Sequence, residues 1–251
     1  MNGDVLGWRR KFGIVTPSTN TVVQPECDEM RPPGVTNHVS RMFIPDDPVE
    51  SDADFNELIR RIDASLEDAV DSVMTCKPDY LVLGISSESI WGGGMEPSRR
   101  IRERVRARAG DIGVAQAADA LARALKVLGV RRRVSVITPY FPVADPHIRE
   151  YIDAIGYETA RTAHLCCGGP VVIAHSTPRQ LRDALLEVDG DDVEAIIQFG
   201  ANLAFARQAA DAERWLDKPV IAVNTATYWH ALRESGIPDP VRGFGALLER
   251  H

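Results

Sequence analysis

Cysteine is scarce in this sequence, and the thiols that occur follow no metal-binding spacing. The four cysteines, Cys27, Cys76, Cys166 and Cys167, include no Cys-x-x-Cys pair and no histidine at ligand distance in sequence. This argues against a zinc site or a disulfide framework, and reduced thiols in a reducing compartment are expected. Long apolar runs are missing too: nothing approaches the roughly 20 residues of a membrane span. The opening residues, MNGDVLGWRRKFG, hold no apolar signal core, so a cytoplasmic protein is expected. An excess of basic charge is also absent. The formal net charge is -7, which offers no general attraction to nucleic acid or to an anionic membrane. The single basic cluster, Arg131 to Arg133, reads as a solvated turn. No Gly-x-Gly-x-x-Gly follows the first strand-like run, which speaks against a dinucleotide-binding dehydrogenase. What is present is ordinarily globular, 44% hydrophobic and 26% charged, in a 251-residue chain able to bury one large core or two small ones.

Hydrophobic periodicity alternates between strand and helix. Lys11 to Thr16 is a short apolar run ending in a Pro-Ser-Thr-Asn turn. Asp54 to Thr75 carries apolar residues at Phe55, Leu58, Ile59, Ile62, Leu66, Val70 and Val73, the spacing of one amphipathic helix. Asp79 to Leu83 is the next buried strand, Arg99 to Arg108 a basic helix, and Ala115 to Leu128 an Ala-rich helix closed by Gly129. The order then repeats: strands at Val134 to Thr138, Val193 to Gln198 and Pro219 to Val223, and helices at Pro146 to Ile155, Pro178 to Val188, Ala204 to Leu216 and Thr225 to Glu234. Thr177 is the expected N-cap of the second of these helices.

The repetition reaches single residues. Val15-Thr16-Pro17 matches Ile137-Thr138-Pro139, Asp79 to Ile85 lies over Glu194 to Gly200, and Val114 to Val130 lies over Ala222 to Ile237. So long a unit indicates a duplicated α/β lobe rather than a solenoid repeat. The expected fold is therefore two pseudo-symmetric, parallel-sheet α/β lobes. The first lobe comprises residues 1–116 plus 226–251 and the second residues 117–225. Ligands of open parallel sheets sit beyond the strand C-termini. This places four turns around one cleft: Pro17 to Asn20, Gly84 to Ser89, Pro139-Tyr140, and Gly200 to Leu203.

That architecture, with Gly13-Ile14-Val15-Thr16-Pro17-Ser18-Thr19-Asn20-Thr21, Pro25-Glu26, Val136 to Tyr140 and Lys218 to Thr225, resembles the aspartate/glutamate racemase superfamily, in its maleate isomerase and arylmalonate decarboxylase branch. The likeness runs from about Lys11 to about Phe244. The resemblance implies a cofactor-free, metal-free enzyme acting on a small carboxylate or dicarboxylate, and a homo-oligomer, most simply a dimer. It also implies one catalytic cysteine per lobe after a buried strand. Here those positions are held by Ile85 and Gly200, and none of the four cysteines falls at a matching strand end.

The carboxylate-binding parts look retained. Strand-to-helix turns expose backbone N–H groups favourable to an anion. Ser18, Thr19 and Asn20 add donors to one turn and Ser86 and Ser87 to another, while Ala201 and Asn202 come from the second lobe. Serine and asparagine at such places also serve simply as helix N-caps. Tyr140 matches a position whose hydroxyl contacts substrate in the family. Glu88 follows the serines and precedes Trp91-Gly92-Gly93-Gly94; it reads either as a base in an apolar wall or as a first-turn helix glutamate. The glycine run is either a lid hinge or a loop of unusual backbone angles. His175, after an apolar run, is a second candidate base or a structural histidine. Two functions follow: an isomerase, decarboxylase, other lyase or hydrolase working without thiols, or a non-catalytic dicarboxylate-binding pseudoenzyme.

Overall fold

A computed structural model describes residues 4–251. The chain runs β1 (Arg10–Pro17), α1 (Val23–Met30), β2 (Val35–Met42), α2 (Asp52–Ala64), α3 (Leu66–Met74), β3 (Tyr80–Leu83), α4 (Glu96–Ala109), β4 (Gly113–Ala115) and α5 (Ala117–Val127). It continues with β5 (Arg133–Thr138), α6 (Asp145–Ala154), β6 (Glu158–His164), α7 (Pro178–Val188), β7 (Ala195–Gln198), α8 (Ala206–Leu216), β8 (Val220–Ala222), α9 (Val223–Glu234) and α10 (Ala246–Arg250).

The strands form two four-stranded sheets with the same order, β2-β1-β3-β4 and β6-β5-β7-β8. Every pairing is parallel. The two central strands of each sheet are buried on both faces, which is why β1, β3, β5 and β7 read as continuous apolar runs. β2 (VTNHVSRM) and β6 (ETARTAH) are edge strands of largely polar, half-buried residues, and no apolar run marks them in the sequence. The Ala-rich face of α5 lets it pack along α9, and α9 crosses back to contact β3 and β4 of the first sheet. One apolar core accordingly spans both halves, from Phe12 and Ile14 to Ile196 and Trp229.

Local chemistry sets several element ends. Thr177 and Gln180 close a capping box on α7, as expected from the sequence. The expected single helix from Asp54 to Thr75 is instead two. Its break is at Ser65, whose hydroxyl donates to the Phe43 and Arg61 carbonyls, while Arg104 takes the Asp63 carbonyl. Competing side-chain and backbone partners at one turn interrupt the helical ladder although the apolar spacing continues through it. The break turns α2 across the C-terminal end of the first sheet. Among the described residues, no helix is long and apolar enough to cross a membrane.

Candidate active site between the lobes

Four turns, after β1, β3, β5 and β7, meet over a cavity of about 60 Å³. Each follows a central strand, at the point where its sheet order reverses, where adjacent connections leave on opposite faces and open a crevice. The volume suits a few water-sized groups or a small acid.

The β3 turn supplies Ser86, Ser87 and Glu88, which are 2%, 7% and 6% exposed, so all three act in a nearly water-free setting. Ser86 ties the lobes together: its Oγ accepts the Gly200 N–H at 3.0 Å and lies 3.2 Å from the Tyr140 hydroxyl. Ser87 donates to Oε2 of Glu88 at 3.0 Å. The other oxygen of Glu88, Oε1, is buried without a hydrogen-bond partner. Burial raises this carboxyl from its ordinary 4.5 to about 7, against the lowering effect of its own backbone N–H and of the Ser87 hydroxyl. Burial likewise pushes Tyr140 up to about 12, so its hydroxyl keeps its proton and is a standing donor. No helix starts at this turn; α4 begins at Glu96. Ser86 and Ser87 are therefore not helix caps, and Glu88 is not a first-turn helix residue. The following Gly92, Gly93 and Gly94 all have positive φ, of 107°, 79° and 62°, a run that side-chain-bearing residues resist.

Asn20 is held in place by the backbone that follows it. Its Oδ1 accepts the N–H groups of Val22 and Val23, both at 2.9 Å, and so fixes the turn that leads into α1. Those bonds fix the amide orientation and leave Nδ2 as a donor in a residue lining the cavity. Thr19 lines it as well, whereas the Ser18 hydroxyl bonds the backbone of Ile44 and lies outside the lining. In the second lobe Ala201 and Asn202 reach the cavity. The Asn202 side chain serves as a strut: Oδ1 accepts the Thr21 N–H at 2.9 Å, and Nδ2 donates to the Pro170 carbonyl at 2.8 Å. Among the described residues, no backbone–backbone hydrogen bond engages the N–H groups of Ser86, Ser87, Ala201 or Asn202. His175 is exposed at the end of a 3-10 turn and does not line the cavity.

The sequence did not single out the apolar wall. Phe55, Leu58, Ile59 and Ile62 of α2 line the cavity together with Ile44 and Ile173. In the sequence they are ordinary positions of an amphipathic face, and only the turn of α2 over the sheet brings them to the cavity. Glu26, half of the family-like Pro25-Glu26 pair, has a structural role that the sequence does not disclose. It accepts the Ala206 N–H at 3.0 Å and the Asn224 amide at 2.7 Å, linking α1 to the starts of α8 and α9. Burial raises its carboxyl from 4.5 to about 7, opposed by the Asn224 amide. Asn224 also donates to the Ala201 carbonyl at 3.0 Å, so this buried chain of bonds reaches the site itself.

Among the described residues, no cysteine lines the cavity, and no cluster of three or more His, Cys, Asp or Glu is placed to hold a metal. Cys27 is buried in α1, Cys76 and Cys166 are exposed, and Cys167 is half-buried. At Gly200, with φ of 98°, an added Cβ would stand 2.4 Å from the Pro139 ring.

Comparison with known proteins agrees with this arrangement. The maleate isomerase of Alcaligenes faecalis is 25% identical over 250 residues, covering 95% of this chain and 96% of that protein. A structure of Nocardia farcinica maleate cis-trans isomerase, a cysteine-to-serine mutant with a covalently bound succinylcysteine intermediate, superposes with a TM-score of 0.85. That match has 24% identity and covers 96% of this chain and 99% of the other. A liganded mutant of arylmalonate decarboxylase matches with a TM-score of 0.80 at 19% identity, covering 96% and 99% of the two chains. The arylmalonate decarboxylase family model matches residues 57–248, from within α2 into α10, taking in β3, β4 and the whole second sheet. With the two lobes, their shared strand order and the cleft turns all in place, this chain belongs to the arylmalonate decarboxylase family.

Proposed function

We propose that this protein is a cofactor-independent enzyme, an isomerase or lyase, that moves a proton at the α-carbon of a small carboxylic acid, with Glu88 as the acid–base group. One observation carries the reading: Glu88 Oε1 lies buried and unpartnered on the wall that also presents Ser86, Ser87 and Tyr140. A carboxyl that titrates near 7 is available in both protonation states at neutral pH, as a general acid–base group needs to be. Ser87 holds Oε2 and so orients the free oxygen.

The hydroxyls of Ser86 and Tyr140, the Asn20 amide and the open N–H groups of the two turns suit a bound carboxylate. When the α C–H bond breaks, its electron pair shifts towards that carboxylate and the proton passes to Glu88 Oε1. Donors held in turns around the cavity would meet that growing charge with little reorganisation. A relative carries a succinylcysteine; here no thiol among the described residues lines the cavity, so the thiol route has no counterpart in this reading. That same absence favours a second reading, a carboxylate-binding protein without turnover. Four unpaired cysteines suit a cytoplasmic setting, and we further propose a homodimer.

Exchange of the α-proton in deuterium oxide, followed by NMR over a panel of small carboxylic acids, tests proton transfer whatever the product. Glu88→Gln should lower the exchange rate by about two or more powers of ten while binding persists. Wild-type protein that binds an acid and exchanges nothing would establish the binder.

A further inference from the structure

The cavity lining divides by chemistry. Its free donors, Ser86, Tyr140 and Asn20, belong to the strand-end turns, while the Ser87 hydroxyl is taken by Glu88. Its apolar side chains include Ile44, Phe55, Leu58, Ile59, Ile62 and Ile173, with the Phe55 ring 5.0 Å from that of Tyr140. Among the described residues, no Arg, Lys or His lines the cavity. The remaining polar side chains there are committed elsewhere or of like charge: the Asn202 amide braces Thr21 and Pro170, and Glu88 is itself a carboxyl group. Thr19 shares the turn of Asn20 and adds a donor there.

From this we infer that the substrate is a monocarboxylic acid with a short aliphatic or unsaturated apolar substituent, and that the site rejects dicarboxylates such as maleate. The inference rests on the carboxylate-binding reading above and names the substrate class it takes. A first carboxylate is met by neutral donors at the turns. A second, placed against α2, would lose its water and find neither cation nor donor, the most unfavourable situation for a buried charge. It would also share the cavity with Glu88, and two carboxylates in one dry site oppose each other's ionisation. An apolar group at the same place gains contact with the isoleucines and Phe55.

The decisive pair is maleate and (Z)-but-2-enoate, which have the same shape except that a methyl group replaces one carboxylate. Titration calorimetry of the wild-type protein at pH 8 should show the enoate binding at least about tenfold more tightly. Leu58→Arg introduces a cation at a half-buried position of the apolar wall, where the long side chain can reach the cavity from the surface. It should move the ratio at least about tenfold towards maleate. Equal or tighter binding of maleate by the wild type overturns the inference, and this comparison stands even if Leu58→Arg fails to fold. Folded Leu58→Arg with an unchanged ratio also overturns it, because α2 would then not face the second carboxylate. If maleate binds tightly while Glu88→Gln still abolishes proton exchange, the substrate class fails and the acid–base reading survives. If neither acid binds, both fall.

Discussion

Replacing Glu88 by glutamine keeps the shape of the side chain and removes its titration, so the variant isolates the energetic consequence of burying this carboxyl. Burial raises it from 4.5 to about 7. Below pH 4.5 the group is protonated in both the folded and unfolded chain, and it costs nothing. Between 4.5 and about 7 the unfolded chain releases the proton while the folded protein retains it, so stability falls as pH rises. Above about 7 the full penalty applies. At roughly 1.4 kcal/mol per pH unit, this amounts to about 3 kcal/mol. For a protein of this size, each kcal/mol corresponds to about 2–4 °C in Tm. Glu26 contributes with the same sign, since its carboxyl is also raised to about 7, and it is untouched in the variant. Wild type should therefore lose stability between pH 4.5 and pH 8, and Glu88→Gln should lose about 3 kcal/mol less over the same interval. Urea unfolding at the two pH values measures this directly. An identical pH dependence in the two proteins would mean that Glu88 is solvated in the folded state, and its role as a poised base would go with it. The rate of proton exchange in wild type should in turn rise as pH increases through about 7, as the base form appears.

Asn20→Ala removes both the Oδ1 acceptor of the turn before α1 and the free amide, so it should cost about 1 kcal/mol of stability and weaken carboxylate binding by about 1–3 kcal/mol. Asn20→Asp keeps the accepting oxygen and should spare stability while abolishing binding; calorimetry and thermal melts on the pair separate the roles, and intact binding in Asn20→Asp would count against the anion site. Gly200→Ala places a Cβ against Pro139 at a positive φ and should destabilise by about 1–3 kcal/mol, read as a lower melting temperature; an unchanged Tm would refute the steric argument. Iodoacetamide should leave proton exchange unaffected, because no cysteine among the described residues lines the cavity; inactivation that an added carboxylic acid prevents would place a thiol in the site.

The duplicated order of apolar runs in the sequence was enough to establish two parallel-sheet lobes. The match of Val15-Thr16-Pro17 to Ile137-Thr138-Pro139, and of Asp79 to Ile85 with Glu194 to Gly200, located the four turns, because strand ends follow from where burial stops and proline or glycine begins. Most of the cleft residues named from those turns line the cavity: Thr19, Asn20, Ser86, Ser87, Glu88, Tyr140, Ala201 and Asn202. Ser18 and His175 do not, since the direction of a side chain from a turn depends on what packs beneath it. Polar edge strands such as β2 and β6 were invisible, being defined by pairing with a neighbour rather than by their own hydrophobicity. Only tertiary structure decided which donors remained free. Asn20 and Asn202 are the same residue type on facing turns, yet one presents an amide to the cavity and the other braces two backbone segments. Tertiary structure also broke the helix at Ser65 and laid Phe55, Leu58, Ile59 and Ile62 over the strand ends. An amphipathic repeat specifies that a face is buried, and what that face meets depends on contacts far away in the chain.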